Sequence, residues 1–153
     1  MMNNSVATMA SRVLAFVSVV VFAGSLALPA YSIGCGGEFP GMFALLLGPI
    51  DVLALHVPWL ANPLLFFSWH KFRKGAPLPS LLSALLAAAA AATFWIGENK
   101  VSIAGGSCSS VYVVLSGYFA WLACIAFQVA ASAVSLAVVR SSSGAHHVPI
   151  QRT

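Results

Sequence analysis

Of the chain's 153 residues, 60% are hydrophobic and only 7% are charged, against roughly 25% charged in an ordinary globular domain. So few charges cannot clothe a water-soluble surface, and the length suits one membrane domain, residues 1–153, rather than two. The net charge of +4 rests on seven Lys and Arg spread over distant segments, which excludes the clustered cationic face that nucleic-acid binding needs.

Residues 1–11 read as a short polar leader, with Ser11 placed to cap the first helix. Val13–Pro29 (VLAFVSVVVFAGSLALP) carries no charge and suffices for a span, which needs about 20 apolar residues and tolerates about 17–25. Arg12 before this core and LALPAYS after it loosely resemble a signal peptide. The core is longer than a usual h-region, however, and Pro29 followed by Tyr31 makes a poor small-x-small site, so the helix is read as retained. SIGC also lacks the leucine expected three residues before Cys35 in a lipoprotein. Residues 30–40 (AYSIGCGGEFP) read as a tight external loop.

The stretch Gly41–Phe72 would reach about 48 Å as a single helix, against an apolar core of about 30 Å. Gly48-Pro49 is a break signal, and Asp51 is costly at the bilayer centre. Gly41–Leu47 is therefore predicted as a short external interfacial helix, with the second span starting between Asp51 and Val57. Pro58 fits the first turn of that span, whereas Pro63 lies deeper and removes a backbone bond. Trp59 and Trp69 mark the two interfaces, and Lys71, Arg73 and Lys74 pin the inner end.

The basic, proline-punctuated loop 70–80 predicts a helical hairpin, with Ser80 capping a third span over Leu81–Gly97. Ala87–Ala92 gives that helix a face that a neighbouring backbone can approach closely. A polar loop, 98–110, precedes the fourth apolar segment, Val111–Val139. Residues 141–153 read as a flexible polar tail, unable to bury enough surface to fold alone.

On the fourth helix Ser116, Ala120, Cys124, Gln128 and Ser132 recur every four residues. The stripe is read as a helix-packing surface, because small and hydrogen-bonding residues are what membrane interfaces use. A lined pathway would show an ionisable group, and this stripe has none.

Four spans place Arg12, Lys71, Arg73, Lys74, Arg140 and Arg152 on one side and only Lys100 on the other, with Glu38, Asp51 and Glu98. The bias of Lys and Arg toward the cytoplasm puts both termini inside.

Intramembrane ionisable residues are functional suspects by default. Asp51 and His56 stand five residues apart, a poor spacing for a shared helix face, and no third ligand is evident. No metal or cofactor site is expected, and Asp51 is read more simply as a helix N-cap. With Asn62 and Glu98 the pair can also be read as an external polar vestibule. His146-His147 is a tail dipeptide. No nucleophile motif, phosphate loop or carboxylate pair appears, and three acidic residues leave few candidates for acid–base work. Cys35 and Cys108 both fall on the external side, where an oxidising compartment allows a disulfide; Cys124 reads as a small apolar filler.

LPAYSIGCGGEFPGMFALLLGPIDVL, VPWLANPLLFFSWHKFRKG and ENKVSIAGGSCSSVYVVLSGYFAWLA together resemble a group of small uncharacterised bacterial multi-pass inner-membrane proteins. The most specific pieces are Trp59–Leu64 (WLANPL) and the GYxxWLA pattern of Gly117, Tyr118 and Trp121–Ala123. The resemblance covers roughly residues 26–125 and implies a four-helix multi-pass protein without assigning an activity. Phe119 and Ala120 depart from the more aromatic or leucine-rich character expected there.

The expectation is thus an all-α integral membrane protein with four transmembrane helices, a short external interfacial helix and cytoplasmic termini in a bacterial inner membrane. Its expected function is that of a non-enzymatic accessory, interaction or immunity-like factor working against the lipid bilayer and another membrane protein or itself. The alternative is a small transporter or channel component using the vestibule.

Overall fold

The computed structural model describes residues 4–33, 37–53, 57–96 and 112–144. In chain order these form α1 (Asn4–Ala27), β1 (Pro29–Ile33), β2 (Gly37–Pro40), α2 (Gly41–Leu53), a 3₁₀ turn (Val57–Leu60), α3 (Ala61–Arg73), α4 (Pro77–Ile96), β3 (Tyr112–Val114) and α5 (Ser116–Gly144). Three helices, α1, α4 and α5, are long and apolar enough to cross a membrane. Their outward faces carry exposed Phe16, Val20, Leu82, Leu86 and Phe119, side chains that suit lipid rather than water.

The long second apolar segment does not form one helix, and its internal boundaries differ from those predicted. Helix α2 runs through the expected break at Gly48-Pro49 to Leu53. Proline has no N–H, so Pro49 leaves the carbonyl of Leu45, four residues back, without its helical donor. The Trp59 indole N–H, arriving from the 3₁₀ turn, donates to that carbonyl at 3.0 Å. A tertiary contact thus repairs the defect that local sequence predicts as a break. Asp51 accordingly lies in the last turn of α2 rather than at the N-cap of the next helix.

The 3₁₀ turn has four residues and α3 thirteen. Together they reach about 27 Å, because 3₁₀ rise exceeds α rise. Pro58 sits in the 3₁₀ turn. Pro63 is the third residue of α3, inside the first turn, where backbone N–H groups have no intrahelical acceptor. It therefore costs no helical bond, contrary to the deeper position expected for it.

Helices α3 and α4 form an antiparallel hairpin through Lys74–Ala76. Gly75 has φ +70, the left-handed conformation that ends a helix at little cost only for glycine. Pro77 opens α4, where a missing N–H is harmless. Ser80 is already within α4 and does not cap it. Likewise Ser11 is buried inside α1, which begins at Asn4, and donates to the Thr8 carbonyl at 2.9 Å.

Helix α1 lies along α5, its most extensive partner, and α4 bridges α5 to α3. The core gathers Phe22, Ala61, Leu65, Ala87, Ala91, Cys124 and Ile125. Ala87 and Ala91 are fully buried, so the alanine run is where neighbouring helices approach. Phe22 meets Phe66 and Trp69 edge-on, both at 5.4 Å. Beyond Arg140 the helix continues to Gly144, its Ser141, Ser142 and Ser143 hydroxyls donating to Val138 and Val139 carbonyls. The first residues of the expected flexible tail are therefore helical.

Part of the expected external loop is instead an antiparallel sheet, in the order β2-β1-β3. Ile33 faces Gly37 on one side and Tyr112 on the other. This sheet ties the end of α1 to the start of α5. Leu115 N–H donates to Ala30 O and Gly41 N–H to Leu28 O, both at 2.9 Å. Two glycines make the corner possible. A Cβ on Gly41 would stand 2.5 Å from the Ser25 carbonyl oxygen, and one on Gly117 would stand 2.8 Å from that of Leu28.

Candidate functional site

Four of the nine polar side chains buried among the described residues meet at one joint between α3, α4 and α5. Ser68, Ser80, Gln128 and Ser132 are all fully buried. Ser68 Oγ donates to the Ser80 carbonyl at 2.8 Å, and Ser80 Oγ donates back to the Ser68 carbonyl at 2.9 Å. The two hydroxyls lie 3.0 Å apart, and Ser132 Oγ lies 2.8 Å from Ser80 Oγ. Gln128 Nε2 faces Ser68, Ser80 and Ser132 Oγ at 3.0, 3.2 and 3.4 Å. Its Oε1 has no partner among the described residues. The donors can be assigned consistently: each of Ser68 and Ser80 gives its proton to a carbonyl, Ser132 gives its own to Ser80, and the two amide N–H groups are shared among the three hydroxyl oxygens.

Further bonds extend this joint along the bundle. Ser83 Oγ donates to the Leu64 carbonyl at 2.6 Å. Ser18 Oγ donates to the Cys124 carbonyl at 2.7 Å and accepts from Trp69 Nε1 at 3.1 Å, so one hydroxyl links α1, α3 and α5. Toward the sheet end, Trp121 Nε1 donates to Asn62 Oδ1 at 2.9 Å, and Tyr118 OH reaches the Ala91 carbonyl at 3.3 Å.

Among the predicted stripe residues, Cys124, Gln128 and Ser132 are buried against other helices, Ala120 is half-buried and Ser116 is exposed. The stripe meets protein chiefly from Cys124 to Ser132. Within the predicted vestibule, Asn62, the second residue of α3, is buried with its oxygen occupied by the Trp121 indole N–H. Asp51 sits on α2, and its side chain lies outside the description. His56 and Glu98 lie outside the described residues, as do Cys35, Cys108 and the His146-His147 pair. The described residues therefore do not bring the vestibule together. Among them no group of three or more His, Cys, Asp or Glu is arranged to hold a metal ion.

Sequence reasoning missed Ser68 and Ser80 as partners of the stripe, and Ser18 and Trp69 as its extension. The signal for Ser68 and Ser80 was available: two serines flanking a tight hairpin, each a few residues from the turn. On its outer side the α4–α5 pair leaves an apolar groove of about 510 Å³, lined by Leu85, Ala88, Ala92, Ile125, Ala126 and Ala130 among others.

Comparison with protein-family models, curated proteins and solved structures finds no match for this chain.

Proposed function

We propose that this chain is a non-enzymatic multi-pass membrane protein, an accessory, interaction or immunity-like factor that works by packing against a transmembrane helix of a partner or of a second copy. The observation that carries this reading is how the polar groups of the bundle are used. The Ser18, Ser68, Ser80, Ser83 and Ser132 hydroxyls, the Trp69 and Trp121 indoles and the Gln128 amide bond to one another or to backbone between helices, and four alanines are left among the lining of the outer α4–α5 groove. Ala88 and Ala92 on one wall, and Ala126 and Ala130 on the other, each stand four residues apart, the spacing that lets a third helix approach closely in lipid.

In this reading the 3₁₀ turn and α3 form the shortest of four spans, helped by slight thinning of the bilayer. Helix α2 lies in the external interface, with Met42, Phe43, Leu46 and Leu47, all exposed, on its lipid side. Both termini are cytoplasmic, and the membrane is a bacterial inner membrane. The transporter alternative draws no comparable support, since the described vestibule residue with a defined side chain, Asn62, is engaged in packing.

Cysteine crosslinking in native membranes tests the proposal. Ala88→Cys and Ala126→Cys are expected to capture a partner chain or a second copy, while Phe16→Cys on α1 captures neither. A protein that stays monomeric and uncrosslinked from both groove positions defeats it.

A further inference from the structure

The turn between α3 and α4 concentrates the charge of the described chain. His70, Arg73 and Lys74 are exposed and Lys71 is half-buried, all within five residues. None of these side chains is needed to finish the helix. Lys74 N–H donates to His70 O at 3.2 Å, Gly75 N–H to Phe72 O at 3.0 Å and Ala76 N–H to Lys71 O at 3.0 Å. The backbone closes its own carbonyls, so the side chains remain available.

Among the described side chains no acidic group is placed to neutralise them. Glu38 and Asp51 sit on β2 and α2, at the opposite end of the bundle, and Glu98 follows the far end of α4 in the sequence. The opposition of the two ends follows from the contacts already described. Asn62, at the start of α3, meets Trp121 near the start of α5, whereas Ser68 meets Gln128 and Ser132 farther along. Helix α3 therefore runs away from the sheet, and its basic end lies with Arg12 of α1 and Arg140 of α5.

The cations are also continuous with apolar surface. Lys71 Nζ stands 5.0 Å from the centre of the Phe67 ring, one helical turn back along α3. Phe66 and Phe67 on α3 and Leu78, at the start of α4, are exposed. An ammonium over a lipid-facing ring, with two more cations just beyond, matches a molecule that is apolar along its length and anionic at its head.

We propose that this turn binds an anionic phospholipid, with Lys71, Arg73 and Lys74 around the headgroup phosphate and Phe67 and Leu78 along the acyl chains. The reading rests on membrane embedding alone and stands apart from the partner-helix proposal. A protein that captures no partner in the groove can still select its lipid here.

The full chain, embedded in equimolar phosphatidylglycerol and phosphatidylcholine and then extracted in mild detergent, is examined by native mass spectrometry. Phosphatidylglycerol should be retained over phosphatidylcholine by about tenfold at low salt, since each cation near an anionic surface adds a modest, additive attraction. Rising salt should erode the preference. K71Q/R73Q/K74Q should bring the ratio close to one, and Phe67→Ala should lower it without abolishing it. Equal retention of the two lipids by the wild-type protein overturns the proposal, as does a preference that salt leaves unchanged. Displacement of phosphatidylglycerol by inorganic phosphate alone would make this a phosphate site and overturn the lipid assignment. The wild-type salt series needs no substitution, so a variant that fails to fold leaves the test intact.

Discussion

The two ends of this bundle are joined by different chemistry. Near the sheet, the corner where α1 hands over to β1, α2 and α5 is made of backbone: carbonyls of Leu28 and Ala30 accept N–H groups, and glycines at positions 41 and 117 let main chains touch. Toward the basic end, the joint of α3, α4 and α5 is made of side chains, with three hydroxyls and one amide closed on each other. The first kind of joint tolerates almost no added volume. The second depends on the partners its hydroxyls keep, because a polar group left alone in an apolar interior loses water without replacement.

Substitutions at the two ends should therefore differ in size. The largest effect is expected for Gly117→Ala. Its new methyl would stand 2.8 Å from Leu28 O and 2.9 Å from Pro29 O, both main-chain atoms that cannot rotate away. A cost of about 3 kcal/mol, at the upper end for overpacking, should appear as an earlier midpoint in denaturing-detergent titration of the purified protein. An unchanged midpoint would show that the corner is looser than the geometry indicates.

Ser80→Ala removes the donor to Ser68 O and the contacts to Ser132 and Gln128. The same titration should register about 1–2 kcal/mol, the upper range for polar contacts between membrane helices. A loss equal to that of Gly117→Ala would erase the distinction drawn between the two ends. The smallest effect is expected for Gln128→Leu, below about 1 kcal/mol. It removes a donor but also removes a buried oxygen that has no partner among the described residues, and the serines retain one another. A loss larger than that of Ser80→Ala would mean that the amide, not the hydroxyl pair, holds the joint.

Much of the helical layout was legible because lipid imposes long apolar runs. The charge-free stretches Val13–Pro29, Leu81–Gly97 and Val111–Val139 each overlap a long helix, but α1 starts at Asn4 inside the expected polar leader, α4 starts at Pro77, and β3 precedes an α5 that runs on to Gly144. The failures have a common physical origin in contacts between distant residues. PAYSI and GEFP are too short and too irregular to announce strands, and β1 finds its second partner in β3, whose residues come some eighty positions later in the chain. Helix α2 persists through Pro49 only because Trp59 supplies the missing donor. For the polar joint, the four-residue rhythm of Cys124, Gln128 and Ser132 was readable as packing. Its partners were missed, although the predicted hairpin, with a serine on each side of its turn, already placed Ser68 near Ser80. The two sequence pieces that stood out, WLANPL and GYFAWLA, turn out to touch each other through Asn62 and Trp121.

The reciprocal bonds of Ser68 and Ser80 have a mechanical consequence. Each hydroxyl grips the main-chain carbonyl of the residue that grips it in return, so the pair works as a two-way latch on the register of α3 against α4. A slide by one residue along either helix would open both bonds together and turn the serines off the shared face. Coaxial slippage, an easy motion for smooth alanine-rich helices in lipid, is thereby forbidden to this hairpin. A push along one of the two helices is passed to the other through the paired serines.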